Sequence, residues 1–439
     1  MKLAWFTPFM RQSAIARYSK VVVEGLAERI DVTLMLPEGT PGEMLETTAV
    51  TVFYRPGELP ELLDGFDASV FNLGDSSYHF AVWEAQQCAY SRLHPAIAIM
   101  HDTFYLNFFH GYARARGDFE WFLDELRTRY GRTEALRASA AVNSNASLAA
   151  LEPYPLFEPI VEAADAFIVH SDYCRRRLRL DADPDVLQLF IPAEYAAPGT
   201  DTGVASQSVG EYDGKVVILT IGLGNPNKCL HLILEALAQR PDVSDKVMYV
   251  AAGEIRPDYL ASLQSIAARH GLRNIDLRGY VTDVELRALI ERADICVNLR
   301  QPCPEGGSAS LLEMLADGKP TIVFDEGVYA EVPDRCVRKI AKTNSVRGLA
   351  GALEELVDSA KARETMGSAA REFATRNWAL SRYVNEFVDF LDARRQTWTV
   401  RESVRAAAIE ATARATAVGL DREPRAVRLL TDALGTWTL

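Results

Sequence analysis

Short apolar runs alternate with stretches of helical periodicity along most of the chain. In the first half, strands are predicted at residues 2–9, 31–37, 50–55, 68–74, 96–102, 166–171 and 186–190. After the first of them, Val21, Val22, Leu26 and Ile30 form an apolar stripe at helical spacing. A second series of strands is predicted at residues 215–222, 246–253, 274–280, 294–300, 320–326 and 336–340. Such nearly continuous apolar strands indicate parallel sheets covered by helices on both faces.

A polar break separates the two series. Residues 197–214 are rich in Gly, Ser, Thr and Asp, which predicts a linker. The chain has 439 residues, whereas single cores stop growing at roughly 250–300 residues. We therefore expect two Rossmann-like, doubly wound α/β domains, over residues 1–196 and 215–380. Helices over residues 381–439 are expected to pack back on the first domain.

A long helical insertion is predicted over residues 103–155, after the carboxyl end of the fifth strand. Ligands of doubly wound folds bind at that edge of the sheet. The arginines of the insertion could bind an anionic acceptor or form a salt-bridged helix face, and the second interpretation is favoured. They are Arg114, Arg116, Arg127, Arg129, Arg132 and Arg137.

Composition narrows the classes of function. The net charge of −13 argues against a nucleic-acid partner, which would need a basic surface, but leaves peripheral membrane contact open. No apolar run is long enough to span a bilayer, and the first residues do not resemble a signal peptide. The six cysteines are scattered without CxxC spacing, so neither a metal cluster nor a disulfide framework is expected. We expect a cytoplasmic protein without a cofactor or metal.

The segment 296–320 carries the most specific chemistry. A predicted strand ends in a loop with Gly306 and Gly307, and a helix is predicted to start near Ser308. Glycines allow a ligand to approach the backbone, and the free amides of a helix start favour an anion. Glu305 lies before this helix and Glu313 inside it, so one carboxylate could face a sugar and the other a ribose. Alternatively, the second carboxylate only completes a capping box with a serine three residues earlier.

A second glycine-rich turn follows the strand over residues 215–222. It contains Gly222 and Gly224 and leads to Lys228 at the predicted start of the next helix. A cation there could stabilise a departing diphosphate. Alternatively, Lys228 is an ordinary surface lysine, and Asn225 or Asn227 caps the helix.

Polar residues also follow two strands of the first domain. His101 and Asp102 stand at the end of the fifth strand, and Gly74, Asp75 and His79 follow the fourth. His101 could contact a donor sugar, and the other four could line an acceptor site. The alternative is structural: a satisfied His101, with Asp102 and either Asp75 or its neighbouring serine acting as helix caps.

The first loop gives a weaker signal. Ser13 lies where a glycine pair would make a firm phosphate loop, and Arg17 and Tyr18 could line an acceptor site. An arginine in an exposed loop is more often simply solvated.

Together these segments resemble a known family. EGGSASLLE, residues 305–313, is similar to the Glu-x7-Glu motif of retaining glycosyltransferases with the GT-B fold, in particular the large family 4 group. TIGLGNPNK, residues 220–228, resembles the glycine-rich turn of that group, which ends in a phosphate-binding lysine. The resemblance extends from about residue 3 to residue 390. It implies two Rossmann-like domains that face a central cleft.

The resemblance also implies roles. Glu313 would bind the donor ribose, Lys228 the diphosphate, and His101 the donor sugar near its anomeric carbon. Glu305, Gly306 and Gly307, with Ser308 beside them, would hold the sugar and diphosphate. The region around Gly279, Tyr280 and Val281 would lie near the base. A sugar would pass from a nucleoside diphosphate donor to an acceptor hydroxyl with retention and without a metal, and the departing diphosphate would help to take the acceptor proton.

The chain departs from the family pattern in two places that matter for the diphosphate. Leu223 occupies the position where most members carry an arginine. Arg300, five residues before Glu305, could supply the missing contact. The first loop lacks the usual glycine pair.

Two alternatives to a glycosyltransferase remain. One is another reaction of the same fold, such as an epimerase or a phosphorylase, although the acidic set and cofactor lysine of those enzymes are not found. The other is a non-catalytic nucleotide-sugar-binding or scaffold subunit. A dehydrogenase is disfavoured because no G-x-G-x-x-G opens a first helix.

Overall fold

The computed structural model describes residues 1–39, 42–183, 185–196, 212, 214–395 and 397–398. Within these ranges, two parallel sheets account for all the predicted strands. The seven strands of the first sheet are β1 (Lys2–Phe6), β2 (Asp31–Pro37), β3 (Val50–Tyr54), β4 (Ala68–Leu73), β5 (Ala96–Met100), β6 (Ala166–Val169) and β7 (Val186–Gln188). The six strands of the second sheet are β8 (Val216–Ile221), β9 (Val247–Ala252), β10 (Ile275–Gly279), β11 (Ile295–Val297), β12 (Thr321–Phe324) and β13 (Val337–Ile340).

Helices connect these strands. In the first part they are α1 (Ala14–Leu26), α2 (Leu59–Leu63), α3 (Phe80–Arg92), α4 (Leu106–Arg116), α5 (Phe119–Asn143), α6 (Leu148–Leu151), α7 (Glu158–Glu162) and α8 (Asp172–Arg177). In the second part they are α9 (Leu230–Ala238), α10 (Pro241–Ser244), α11 (Pro257–Arg269), α12 (Asp283–Arg292), α13 (Ala309–Ala316), α14 (Ser345–Asp358) and α15 (Ala360–Asn377).

The strand order fixes where a ligand site can form. The first sheet runs β3-β2-β1-β4-β5-β6-β7 and the second β10-β9-β8-β11-β12-β13, with every pairing parallel. The order reverses between β1 and β4 in one sheet and between β8 and β11 in the other. A crevice opens at the carboxyl ends of strands at such a switch point. The candidate segments after β4, β8 and β11 therefore stand at the switch points of their sheets.

The insertion adds helices that pack on the core of the first domain. Phe108 and Phe109 of α4 and Phe122 of α5 are at most 2% exposed, in the same core cluster as Phe6 and Phe71. Burial of these rings removes apolar surface from water, which holds the insertion on the sheet. Helix α5 bends at Gly131, whose φ is 78°.

The insertion arginines follow the favoured interpretation. Four of them pair with carboxylates of neighbouring helical residues, as a salt-bridged face requires. These pairs are Arg116–Glu84, Arg127–Asp124, Arg129–Glu162 and Arg137–Glu134.

Two capping alternatives that the sequence left open in the second domain are wrong. Helix α13 is capped by the Ser308 hydroxyl, which accepts from the amide of Leu311, so Ser310 and Glu313 form no capping box. Neither Asn225 nor Asn227 caps α9, because Cys229 precedes that helix, and their side-chain oxygens are buried without a partner.

The caps expected in the first domain are also placed differently. Asp75 accepts from the amide of Phe108 at 2.8 Å, so it caps α4 and not the helix next in sequence. Asp102 caps no helix, since its Oδ2 accepts from the amide of Asp75 at 2.8 Å. Ser76 precedes a short 3-10 turn without making a side-chain cap.

The predicted linker lies almost wholly outside the described residues, as does the tail from residue 399 onward. The proposed domain boundaries thus remain predictions. Residues 380–384, where a further helix begins, contact α1: the Tyr383 and Tyr18 hydroxyls are hydrogen-bonded, and Leu380 packs against Gly25.

Candidate functional site

A buried ion pair lies in the loop between β11 and α13. The Nε of Arg300 donates to Glu305 Oε1 at 2.8 Å, and the Tyr329 hydroxyl donates to Oε2 of the same carboxylate at 2.8 Å. Arg300 is 4% exposed, and its Nη1 also donates to Asn298 Oδ1 at 3.0 Å. Burial opposes ionisation of Glu305, but Arg300 and Lys228 outweigh it and lower the pKa of this carboxyl. Glu305 is therefore a carboxylate held in one orientation.

Lys228 lies close enough to this ion pair to interact with both of its charges. It is 6% exposed, within a short 3-10 turn (Pro226–Lys228) ahead of α9, and its ammonium donates to the carbonyl oxygen of Ile221. Burial, followed by repulsion from Arg300, lowers its pKa well below the ordinary value, although Glu305 and Glu313 oppose this shift. Because it is buried, Lys228 is no ordinary surface lysine.

Gly222 is required by the position of this lysine. Its φ is 91°, and a Cβ at this residue would lie 2.5 Å from Lys228 Nζ. Only glycine adopts that backbone conformation readily and leaves room for the ammonium. Gly224 packs instead against Ile255, and its amide donates to the carbonyl of Glu254.

Glu313 is paired with a residue of the first domain. Nη1 of Arg17 on α1 donates to Glu313 Oε1 at 3.0 Å, and Nη2 donates to Asp283 at 3.1 Å. The guanidinium also lies 5.1 Å from the centroid of the Tyr195 ring. Burial raises the pKa of Glu313, and Arg17 opposes this shift. Arg17, predicted as an acceptor-side residue, thus meets the carboxylate predicted to bind ribose.

The two glycines of the loop contact the first domain. The Gly306 amide donates to the carbonyl of His101 at 2.8 Å, and the Thr103 amide donates to the carbonyl of Pro304 at 2.7 Å. A Cβ at Gly306 would lie 2.9 Å from the carbonyl oxygen of Met100, and one at Gly307 would lie 2.7 Å from the Cβ of His170. No larger residue fits at either position, so glycine is what permits this close approach.

His101 is the centre of a buried hydrogen-bonded chain. Its Nε2 lies 3.1 Å from Asn72 Oδ1, and its Nδ1 lies 3.0 Å from His170 Nε2. The ring of Tyr18 packs edge-on against both imidazoles, at centroid distances of 4.9 and 5.3 Å. Burial, then the proximity of His170 and His79, lowers the pKa of His101 well below its usual value. His101 is thus in contact with a polar partner at each ring nitrogen, and its carbonyl accepts from the Gly306 amide.

Asp75, Asp102 and His79 cluster around Gly74. Burial raises the pKa of Asp75 to about 7, and burial together with Asp75 raises that of Asp102 to about 8. His79 donates from Nδ1 to the carbonyl of Asn72, and burial lowers its pKa to about 4. A Cβ at Gly74 would lie 3.1 Å from His79 Nε2 and 3.3 Å from Asp102 Oδ2. Two polar side chains therefore converge on one point beside the loop of Glu305.

Other predicted residues lie at the margins. Ser13 caps α1, because its hydroxyl accepts from the amide of Ala16 at 3.2 Å. Tyr280 is 76% exposed, whereas Val281 packs against the second core. Their predicted place beside the base stays a prediction.

Sequence reasoning missed several members of the site. Tyr329 lies after β12 in DEGVY, and Asn298 stands directly after β11, so position at a strand end could have identified both. His170 follows β6 in the same way. Asp283 and Tyr195 gave no local signal, because only the fold brings them to Arg17.

Comparison with known proteins agrees with this architecture. Residues 202–373 match the family model described as Glycosyl transferases group 1. HepE from Anabaena, solved in complex with UDP, superposes with a TM-score of 0.60 at 13% identity, covering 90% of this chain and 100% of that one. The chain has the GT-B fold. Family match and fold together support a glycosyltransferase.

Two further GT-B structures are similar. Sucrose-phosphate synthase from Thermosynechococcus elongatus has a TM-score of 0.61 at 14% identity, covering 91% of this chain and 100% of that one. WaaG, a glycosyltransferase involved in lipopolysaccharide biosynthesis, has a TM-score of 0.55 at 14% identity, covering 87% of this chain and 98% of that one. A sequence comparison with curated proteins gave no match.

Across the described ranges, no helix is both long and apolar enough to cross a membrane. In the same residues, no group of three or more His, Cys, Asp and Glu side chains is arranged to hold a metal ion.

Proposed function

We propose that this chain is a retaining glycosyltransferase that moves a sugar from a nucleoside diphosphate donor to an acceptor hydroxyl without a metal ion. The observation that carries the proposal is the cluster of Lys228, Arg300, Glu305 and Glu313 at the switch point of the second sheet. These four side chains are largely buried at one strand edge, next to the first amides of α13. Two cations and a helix start together suit a diphosphate.

Each group has a role in this proposal. Lys228 and the first amides of α13 hold the diphosphate as negative charge develops on it. Glu305 orients a sugar hydroxyl, and its pairing with Arg300 and Tyr329 keeps it ionised and fixed. Glu313 releases Arg17 when the nucleotide enters and then binds its ribose. The sugar passes to the acceptor on the face that the diphosphate leaves, and the departing phosphate takes the acceptor proton.

The donor base is proposed from the structural neighbours. HepE was solved with UDP and also with UDP-glucose, the latter at 14% identity. A uridine diphosphate sugar is therefore the first donor to test. The acceptor side is proposed to lie around Gly74, Asp102 and His79, where polar side chains converge.

UDP is expected to stabilise the protein against heat, while UMP stabilises it far less. Ligand present at 100 times its dissociation constant adds about 2.7 kcal/mol to the free energy of unfolding. UMP keeps the base and ribose but lacks the second phosphate, so it tests the diphosphate site by itself. Thermal unfolding with UDP, UMP, GDP and ADP measures the difference. Equal midpoints with every nucleotide and without any would contradict a nucleotide donor.

Transfer activity is expected to survive EDTA. Lys228 and the amides at the start of α13 supply the positive potential that a metal supplies in other sites. Release of UDP from the donor is measured with and without chelator, after a nucleotide-sugar panel has identified the donor. Loss of activity in EDTA, with recovery on adding Mg²⁺ or Mn²⁺, would overturn the metal-independent assignment.

A non-catalytic nucleotide-sugar-binding subunit is the alternative function. It predicts stabilisation by UDP with no release of UDP from any donor, in the presence of any acceptor. The position of Glu305, fixed and ionised next to the cations, favours catalysis.

A further inference from the structure

The hydrogen-bonded chain through His101 has both of its ends fixed. Asn72 Nδ2 donates to the carbonyl of Phe6 at 3.0 Å, so Asn72 Oδ1 is left as an acceptor. At the other end, His170 Nδ1 lies 2.8 Å from the carbonyl of Leu189 and has to donate to it. A neutral His170 then has only a lone pair at Nε2. Each partner that faces His101 is therefore an acceptor.

The two acceptors on either side of His101 determine how many protons the His101–His170 pair holds. Hydrogen bonds at both 3.1 Å to Asn72 and 3.0 Å to His170 require His101 to donate from Nε2 and from Nδ1. Only an imidazolium donates from both nitrogens. With all the bonds made, the two imidazoles hold three protons and one positive charge, shared across the Nδ1–Nε2 contact. A neutral pair leaves one contact without a hydrogen.

Burial acts in the opposite direction. It lowers the pKa of His170 to about 4 and that of His101 well below its usual value. The titratable groups that face the pair are Tyr18, whose hydroxyl bonds Tyr383, and His79. Tyr18 packs edge-on against the pair, and neither group brings a negative charge to it. Burial therefore favours a neutral pair as long as no negative charge lies nearby, and a neutral pair can make only one of the two contacts of His101 as a hydrogen bond.

The pair lies directly against the loop that precedes α13. The carbonyl of His101 accepts from the Gly306 amide, and a Cβ at Gly307 would lie 2.7 Å from the Cβ of His170. Under the proposed function, this loop and the following amides hold the diphosphate. An anion bound at this loop would supply the negative charge that the buried pair lacks.

We propose that the His101–His170 pair takes up one proton from solvent when the diphosphate of the donor binds, with His170 acting as a positioning residue for His101. The bound proton completes the chain from Asn72 to Leu189 and fixes the His101 ring as a cation beside the sugar loop. This inference rests on the proposed nucleotide-binding function. One N–H bond forms on the pair, and the buffer acid loses the proton that makes it.

Calorimetric titration of UDP in two buffers of different ionisation enthalpy measures this uptake. We expect about one proton to be taken up per UDP near neutral pH, in excess of any change on the phosphate itself. The dissociation constant should then rise up to tenfold per pH unit between the pKa of the free pair and that of the bound pair. Absence of UDP binding would count against the proposed function, whereas binding without proton uptake would overturn only this inference.

The variant His170→Phe separates the pair from other titrating groups. It fills the space but offers no acceptor, so His101 can remain neutral while bonded to Asn72. We expect the uptake to disappear in this variant and to persist in the matched control His270→Phe, at an exposed residue after α11. Equal uptake in wild type and His170→Phe would assign the proton elsewhere.

A second measurement does not depend on the folding of that variant. Nitrogen-15 NMR of the seven histidines distinguishes neutral from protonated rings directly. UDP should move the ring nitrogens of one coupled pair from the neutral to the cationic range in the wild-type protein. Two rings that both stay neutral in the complex would refute the proposal.

Discussion

Replacing Lys228 by methionine is expected to weaken UDP binding by roughly 1–3 kcal/mol while leaving the unliganded protein at least as stable as wild type. The first effect is the loss of a charge-assisted contact to phosphate. The second follows from burial, which disfavours the ammonium and lowers its pKa. A methionine of similar length avoids the cost of burying that charge.

The two effects are measured separately. Calorimetry with UDP gives the affinity, and denaturant unfolding without ligand gives the stability. Lys215→Met is a suitable control. Lys215 stands just before β8, at the end of the strand opposite to the glycine-rich turn, and its ammonium donates to the carbonyl of Asp245. Unchanged UDP affinity in Lys228→Met would remove the phosphate role from this lysine.

Glu305→Gln is expected to reduce kcat by about 10²–10³ while changing UDP affinity little. The amide keeps the shape of the side chain: its oxygen can accept from Arg300 and its NH2 group can donate to the Tyr329 hydroxyl, so the loop should hold its position. It lacks the charge proposed to act on the sugar, and a group that acts mainly in the transition state affects kcat more than binding. Alanine is a poorer choice here, since it would leave Arg300 buried without its partner.

Glu313→Gln provides the matched contrast. Glu313 lies further along the chain, inside α13, and is proposed to contact the ribose. The variant should therefore bind UDP more weakly, and its lost turnover should be partly recovered at high donor concentration. Steady-state kinetics and UDP titration on both variants separate the two roles. Wild-type UDP affinity in both variants, with unaltered turnover, would contradict the assignment of the two carboxylates.

The sequence predicted the fold well because its signal is local. Strand runs such as 216–221 are buried on both faces and therefore nearly uninterrupted in apolar character. The glycines at 222, 306 and 307 were identifiable because only glycine allows backbone to approach that closely. The start of α13 was predicted near Ser308, although the capping box expected from Ser310 and Glu313 is not formed and Ser308 itself caps the helix.

The partners of the site residues could not be predicted in the same way. Arg17 and Glu313 are separated by 296 positions, and only the tertiary fold brings α1 and α13 together. The same holds for His101 with His170, 69 positions apart. The local rule for helix caps was wrong at Asp75. Its carboxylate accepts from the amide of Phe108 in the insertion and not from an amide of the adjacent helix.

The contacts at Gly306 and Glu313 bear on how fast a donor can enter. The Gly306 amide is already bonded to His101, the Thr103 amide to Pro304, and the Glu313 carboxylate to Arg17. These hydrogen bonds have to break before a nucleotide sugar can bind to the same groups. The rate at which these hydrogen bonds break, and not diffusion, should then limit association. The observed association rate should reach the same maximum at high concentration for donors of different affinity. Discrimination among them would appear in their residence times.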